Sequence, residues 1–159
     1  MPEALSRSAN RIQDALDALG MKVEVVELPA STRTSAEAAS AIGCSIGQIA
    51  KSIIFRTVGS SRPVMVIASG VNRVNEEKIQ NIIGEAIKKA DPDFVRKATG
   101  YAIGGVPPIG HAETIITIID EDLTKLDEIW AAAGTPNAVF KLSPAHLVQM
   151  TGGSVKSIK

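Results

Sequence analysis

The seven residues Pro63-Val-Met-Val-Ile-Ala-Ser69 put apolar side chains on both of their alternating faces. A strand that is apolar on both faces has to be covered from both sides, which places it centrally in a sheet flanked by other layers. The stretch before it, Lys51–Val58, also reads as a strand, and Gly59-Ser-Ser61 between the two reads as a turn. The pair is therefore predicted to form an antiparallel hairpin.

Helical and extended patterns alternate around this hairpin. Residues 4–19 place Leu5, Ile12, Leu16 and Leu19 at helical spacing, with Gly20 as the stop. Lys22–Leu28 alternates as a strand. Thr34-Ser-Ala-Glu37 has the form of a capping box ahead of an Ala-rich helix to Ile42, and Ser45-Ile-Gly-Gln48 opens a short helical turn. Asn75 caps a helix to Ile83, residues 86–89 read as a short strand, and Asp91-Pro92 starts a helix to about Ala98. Strands are predicted at Thr114–Ile119, within Asp127–Ala132 and at Ala138–Leu142. A last helix follows Ser143-Pro144, and Gly152-Gly153-Ser154 begins an exposed, flexible tail. Alternating elements with one tight hairpin predict an α/β chain of the α+β type: a mixed, curved sheet of about six to seven strands surrounded by helices. The 159 residues fit one domain, 1–159.

Aromatic residues make up only 3% of the chain, so the core has to be aliphatic, and no stacking surface for successive bases is available. Lys plus Arg and Asp plus Glu both number 17, which excludes a broad basic field for duplex phosphates but leaves local contacts to a nucleic-acid end open. The single cysteine, Cys44, rules out an internal disulfide, and no CxxC zinc spacing occurs. With no signal peptide or membrane-length apolar run, a cytoplasmic location without membrane contact is expected.

Two stretches carry chemistry. Thr99-Gly-Tyr-Ala-Ile-Gly-Gly-Val-Pro-Pro-Ile-Gly-His111 combines stiffening prolines with glycines that let backbone N–H groups approach a ligand. Such a loop is either a connection or an oxyanion cradle. Strand alternation puts Lys51 on the face of Ile53 and Phe55, where its ammonium either snorkels to solvent or points into a cleft.

Together, Gln48-Ile-Ala-Lys51-Ser-Ile-Ile-Phe55, the stretch Thr99–Gly110 and the closing Phe140-Lys-Leu-Ser-Pro-Ala-His-Leu-Val-Gln-Met-Thr151 resemble the YbaK family of free-standing editing domains, which are similar to the insertion domain of bacterial prolyl-tRNA synthetase. The resemblance implies a trans-acting aminoacyl-tRNA deacylase that hydrolyses the ester of a mischarged tRNA, tRNA(Pro) first among them, without a cofactor or metal. Its partners are then the tRNA acceptor end, with a synthetase or an elongation factor beside it. Catalytic roles are implied for Lys51, Gly104 and Gly105, and substrate contacts for Tyr101, Val106, Pro107, Pro108 and Gly110. The chain departs from its relatives at Pro107, where serine is frequent, and at Asn137-Ala-Val139, where an acidic residue or histidine is frequent; Asn137 is a pocket candidate.

Four other features have two readings each. His111 is either a base or phosphate ligand, or a loop-end side chain bonded to backbone. Thr32 and Ser35 precede or open the Ala-rich helix and serve either a phosphate or plain capping. Cys44 is expected to be structural rather than a nucleophile. Gly100-x-x-x-Gly104-Gly105 follows a helix rather than a strand and is a poor dinucleotide fingerprint. A non-catalytic binding module for an aminoacyl-RNA end or nucleotide, and a hydrolase of small esters, are the competing functions.

Overall fold

The computed structural model describes residues 6–159. In chain order the elements are α1 (Arg7–Ala18), β1 (Val25–Glu27), α2 (Ser35–Ile42), β2 (Ile49–Thr57), β3 (Pro63–Ser69), α3 (Glu76–Ile83), β4 (Ile87–Lys89), α4 (Pro92–Thr99), β5 (Ile116–Asp120), β6 (Ile129–Ala132), β7 (Ala138–Leu142), α5 (Pro144–Thr151) and β8 (Ser154–Lys156). Short 3₁₀ turns precede β2 and follow β5. The part of the predicted first helix that includes Leu5 lies outside the described residues.

All eight strands join one mixed sheet in the order β1-β7-β6-β2-β3-β5-β8, and β4 pairs with β2 off this path. The predicted hairpin is β2 against β3, in register from Ala50 opposite Ser69 to Arg56 opposite Pro63. β3 is central, and every one of its side chains is buried. Its even positions Val64, Val66 and Ala68 pack with Phe55, Ile79 of α3, Ile87 and Ile118. Its odd positions Met65 and Ile67 face the larger cluster of Ile12 and Leu16 from α1, Val95 from α4, Leu147 from α5 and Phe140. Burial of one such side chain stabilises the fold by about 1.5–3 kcal/mol, so the two-faced apolar pattern is what commits β3 to the centre.

The helix ends follow the capping signals. Ser6, Thr34, Asn75, Asp91 and Ser143 each accept a hydrogen bond from a first-turn backbone N–H, and Gly43, Gly84, Gly100 and Gly152 close four of the helices in the left-handed conformation.

The C-terminal segment corrects the sequence expectation. Ser154–Lys156 is not a flexible tail but an edge strand running parallel to β5, with Ile118 opposite Ser154 and Asp120 opposite Lys156. Ile158 is fully buried in the cluster beneath β3. Its carbonyl accepts the Asn75 N–H at 2.7 Å, and the Lys159 ammonium lies 2.9 Å from an Asp122 carboxylate oxygen. The glycine pair, read as a mark of disorder, instead lets the chain turn closely past the sheet: a Cβ on Gly153 would meet Ile119 and Thr117 at 3.0 Å.

Candidate active site

Two cavities of about 620 and 210 Å³ open on the same side of β2. They share Lys51, Ser52, Ile53, Ile103, Gly104 and Val106, and so form two lobes of one cleft that meet at these residues. The larger lobe lies within the range of small-molecule sites, roughly 300–1,000 Å³. It adds Arg73, Glu76, Lys89 and apolar side chains including Val74 and Val95. The smaller lobe adds Thr32, Arg33, Ser35, Ala38, Trp130 and Val139.

Lys51 is the third residue of β2, since the strand begins two residues earlier than the sequence pattern indicates. Its ammonium has neither a hydrogen bond nor an ion pair among the described residues. Burial lowers its pKa from the ordinary lysine value; Arg73 and Lys89 lower it too, while Asp120 opposes them. A cation with no side-chain partner among the described residues, partly desolvated at the junction of two lobes, is suited to an anion or to charge that develops during a reaction.

The loop from Thr99 to His111 supplies the facing wall through only part of its length. Gly104 has φ +93°, and a Cβ there would lie 2.7 Å from the Arg33 Cγ, so the Arg33 stem packs directly over the glycine. Its N–H makes no hydrogen bond among the described residues. Val106 is buried and touches both lobes. Gly105 sits differently: its N–H donates to Ala102 C=O at 3.0 Å, and its own carbonyl accepts the Gly134 N–H at 2.9 Å. A Cβ on Gly105 would collide with Thr135 backbone at 2.9–3.0 Å.

Of the remaining candidates, Tyr101, Pro107, Pro108, Gly110, His111 and Asn137 lie away from the cavity walls. Tyr101 is in the main core with Arg11 stacked 5.3 Å from its ring centre. Pro107 and Pro108 are buried, and Gly110 approaches Ile12. His111 Nε2 lies 2.6 Å from the Pro107 carbonyl, which fixes that nitrogen as the protonated donor. Burial pushes the His111 pKa down, and the bond to Pro107 only partly offsets this. Asn137 braces the turn ahead of β7, donating to the Leu28 and Ala30 carbonyls, each at 3.4 Å. Thr32 and Ser35 do line the smaller lobe, but Thr32 Oγ1 is committed to Pro136 C=O at 2.7 Å. The α2 cap is Thr34, whose hydroxyl accepts the Glu37 N–H at 3.1 Å. Cys44 packs beside Ile49 and Trp130, and burial pushes its thiol up, away from nucleophilic use.

Arg33, Arg73, Lys89, Ser52 and Trp130 were not singled out from sequence. Arg33, Arg73 and Lys89 make no ion pair among the described residues. Separated by 40 and 16 positions, these three cations show no motif until the fold gathers them.

The aminoacyl-tRNA editing domain model matches residues 29–150, which include β2 and the whole glycine–proline loop. The chain belongs to the aminoacyl-tRNA editing domain family. This editing domain is 30% identical over 132 residues to the uncharacterized protein YwhH of Bacillus subtilis, covering 83% of each chain. It is 44% identical, with a TM-score of 0.92, to a solved structure described as "a putative trans-editing enzyme for prolyl tRNA synthetase", covering 98% of this chain and 99% of that one. A proline–tRNA ligase of Thermoanaerobacter sp. shares 27% identity over 99 residues, which are 60% of this chain and 17% of the ligase. The editing domain thus corresponds to a minor part of the ligase's length. No helix among the described residues is long and apolar enough to cross a membrane.

Proposed function

We propose that this editing domain is a trans-acting deacylase that hydrolyses the ester linking a wrong amino acid to the 3′ end of tRNA, with tRNA(Pro) as the carrier. The observation that carries this is the meeting of Lys51 and Gly104 on the wall shared by both lobes, although they are far apart in sequence. A substrate with two dissimilar halves suits a two-lobed cleft. The larger lobe, with Arg73 and Lys89 on its wall, suits the terminal nucleotide and its phosphate; the smaller, largely apolar lobe suits a small side chain.

In this arrangement the ester carbonyl lies at the junction. Water attacks the carbonyl carbon; attack by the neighbouring hydroxyl of the terminal ribose only moves the ester to that oxygen, and water then has to cleave it there. Negative charge gathers on the carbonyl oxygen, where the Lys51 ammonium and the Gly104 N–H stabilise it. The acyl–oxygen bond then breaks, and the proton from the nucleophile ends on the ribose oxygen. When water is the net reactant, the products are a free amino acid and an uncharged tRNA. No histidine or cysteine lines the lobes. The proposal therefore rests on an already activated ester, held in position and electrostatically stabilised.

The test is deacylation of Ala-, Cys- and Ser-tRNA(Pro) by the wild-type protein and by Lys51→Ala. Wild type should accelerate ester loss from at least one of them, and Lys51→Ala should reduce that rate by about 10²–10³ while unfolding at a similar temperature. Wild-type protein that binds charged tRNA without accelerating ester loss would reject the deacylase reading, and equal activity on free amino-acid esters would reject tRNA as the substrate.

A further inference from the structure

One edge of β2 is interrupted in mid-strand. β3 covers the opposite edge from Ala50 to Arg56. On the interrupted edge, β6 pairs only with Ile49 and Ala50, and β4 only with Phe55–Thr57. One further bond, from Ala90 N–H to Ile54 C=O at 3.2 Å, extends the β4 side. Main-chain groups of a strand alternate between its two edges. The bonds Gly70 N–H to Ile49 C=O and Thr57 N–H to Arg62 C=O turn the odd residues toward β3. Those of Ile54 and Val58 with Ala90 and Ala86 turn the even residues the other way. Ser52 is the even residue inside the interval, so its N–H and C=O face a gap with no strand opposite. β4 does not reach it: the chain leaves the strand after Lys89 and enters α4 at Pro92, which has no N–H to offer.

This gap coincides with the junction of the two lobes, both of which include Ser52. The lobes are lined by four cations, Lys51, Arg33, Arg73 and Lys89, against one carboxylate, Glu76. A positively charged ligand group in such a cleft needs a neutral acceptor fixed in place. We propose that the Ser52 carbonyl accepts a hydrogen bond from the α-ammonium of the aminoacyl group, so that the site recognises the amine as well as the side chain. The inference rests on the aminoacyl-ester reading of the cleft. It makes the editing domain selective for α-amino esters over α-hydroxy, N-acylated or simple acyl esters of the same size.

The probes are two non-hydrolysable analogues, 3′-amino-3′-deoxyadenosine joined by an amide bond to alanine and to propionic acid. They differ only in the amine. The alanyl analogue should bind about tenfold or more tightly, as expected for a hydrogen bond to a charged group. The Ser52 carbonyl ¹³C resonance should move with the alanyl analogue alone, and Glu76→Gln should keep the affinity ratio. Equal affinities, with Lys51 and Gly104 signals shifting in both complexes, would overturn the amine contact and leave the ester site standing. Loss of the ratio in Glu76→Gln would assign the amine to that carboxylate and overturn the proposal. If neither analogue disturbs Lys51 or Gly104, the ester site falls, and the amine contact with it.

Discussion

Lys51 and Asp120 occupy one row of the sheet, two strands apart, with Ala68 between them. Lys51 pairs with Ala68, and the parallel register that sets Ile67 opposite Ile119 carries Asp120 to the other side of Ala68. Asp120 is only 1% exposed, and its carboxylate accepts bonds from Ser69 N–H, Asn72 Nδ2 and Asp122 N–H. Its charge favours the ammonium form of Lys51, against burial and the neighbouring Arg73 and Lys89. Glu76 is the other carboxylate near the lysine's cleft.

If the Lys51 ammonium is required, deacylation corrected for spontaneous hydrolysis falls as pH rises through a pKa below that of ordinary lysine. Asp120→Asn removes the one opposing charge and moves that limb to lower pH still. A pH–rate profile that does not shift between wild type and Asp120→Asn contradicts this coupling. Asp120→Ala also strands the Ser69 and Asp122 amides, and should cost about 2–4 kcal/mol in urea unfolding.

The histidine of the loop predicts a pH dependence of stability. Its folded pKa lies below its unfolded value, so the unfolded chain binds the proton more readily. Stability contributed by neutral His111 is present above the unfolded value, near 6.5, and is lost as pH falls toward the folded one. Thermal unfolding of His111→Gln followed from pH 8 to 5 should show a weaker acid-side decline than wild type. Parallel curves for the two proteins would refute the assignment.

Neighbouring glycines should behave unlike one another. Gly105→Ala forces a methyl into Thr135 backbone and should lower stability by several kcal/mol. Gly104→Ala meets only the flexible Arg33 stem, plus the strain of a positive φ, about 1–3 kcal/mol. Its larger effect should be on deacylation, because the methyl enters the wall of both lobes. Denaturant melts and rates measured on the same preparations separate the two outcomes.

The C-terminal strand should contribute to the whole fold. Ile158→Ala removes a fully buried side chain from the cluster that holds Ile118 and Ile79, and should cost about 2–4 kcal/mol. Calorimetry would detect this; a loss below about 0.5 kcal/mol would mean that the segment merely rests on the sheet.

The sequence made legible those elements whose signals are local. β3 and β7 begin and end where alternation and turn residues indicate, and the capping residues mark the helix starts. Ser154–Lys156 was missed because three exposed residues after two glycines carry no periodicity; only the neighbouring β5 makes them a strand. In the candidate site, Lys51 and Gly104 were visible as a strand-face cation and a loop glycine. Arg73 and Lys89 were not, because a lone surface-type cation has no local signature. The open main chain of Ser52 was equally hidden, since it depends on where β6 stops and β4 starts. Nor does the amino-acid string show that the Gly105 amide is committed to Ala102 while that of Gly104 is not.

The break in the ladder along β2 also sets a trade-off. Two residues of added pairing beside Ser52, for instance by replacing Pro92 and continuing β4, would gain hydrogen bonds and tighten the sheet while sealing the cleft. Variants selected for heat resistance alone should therefore drift toward a closed seam and lose ligand binding. Selection that alternates heat challenge with a binding requirement should preserve the break and place its gains elsewhere.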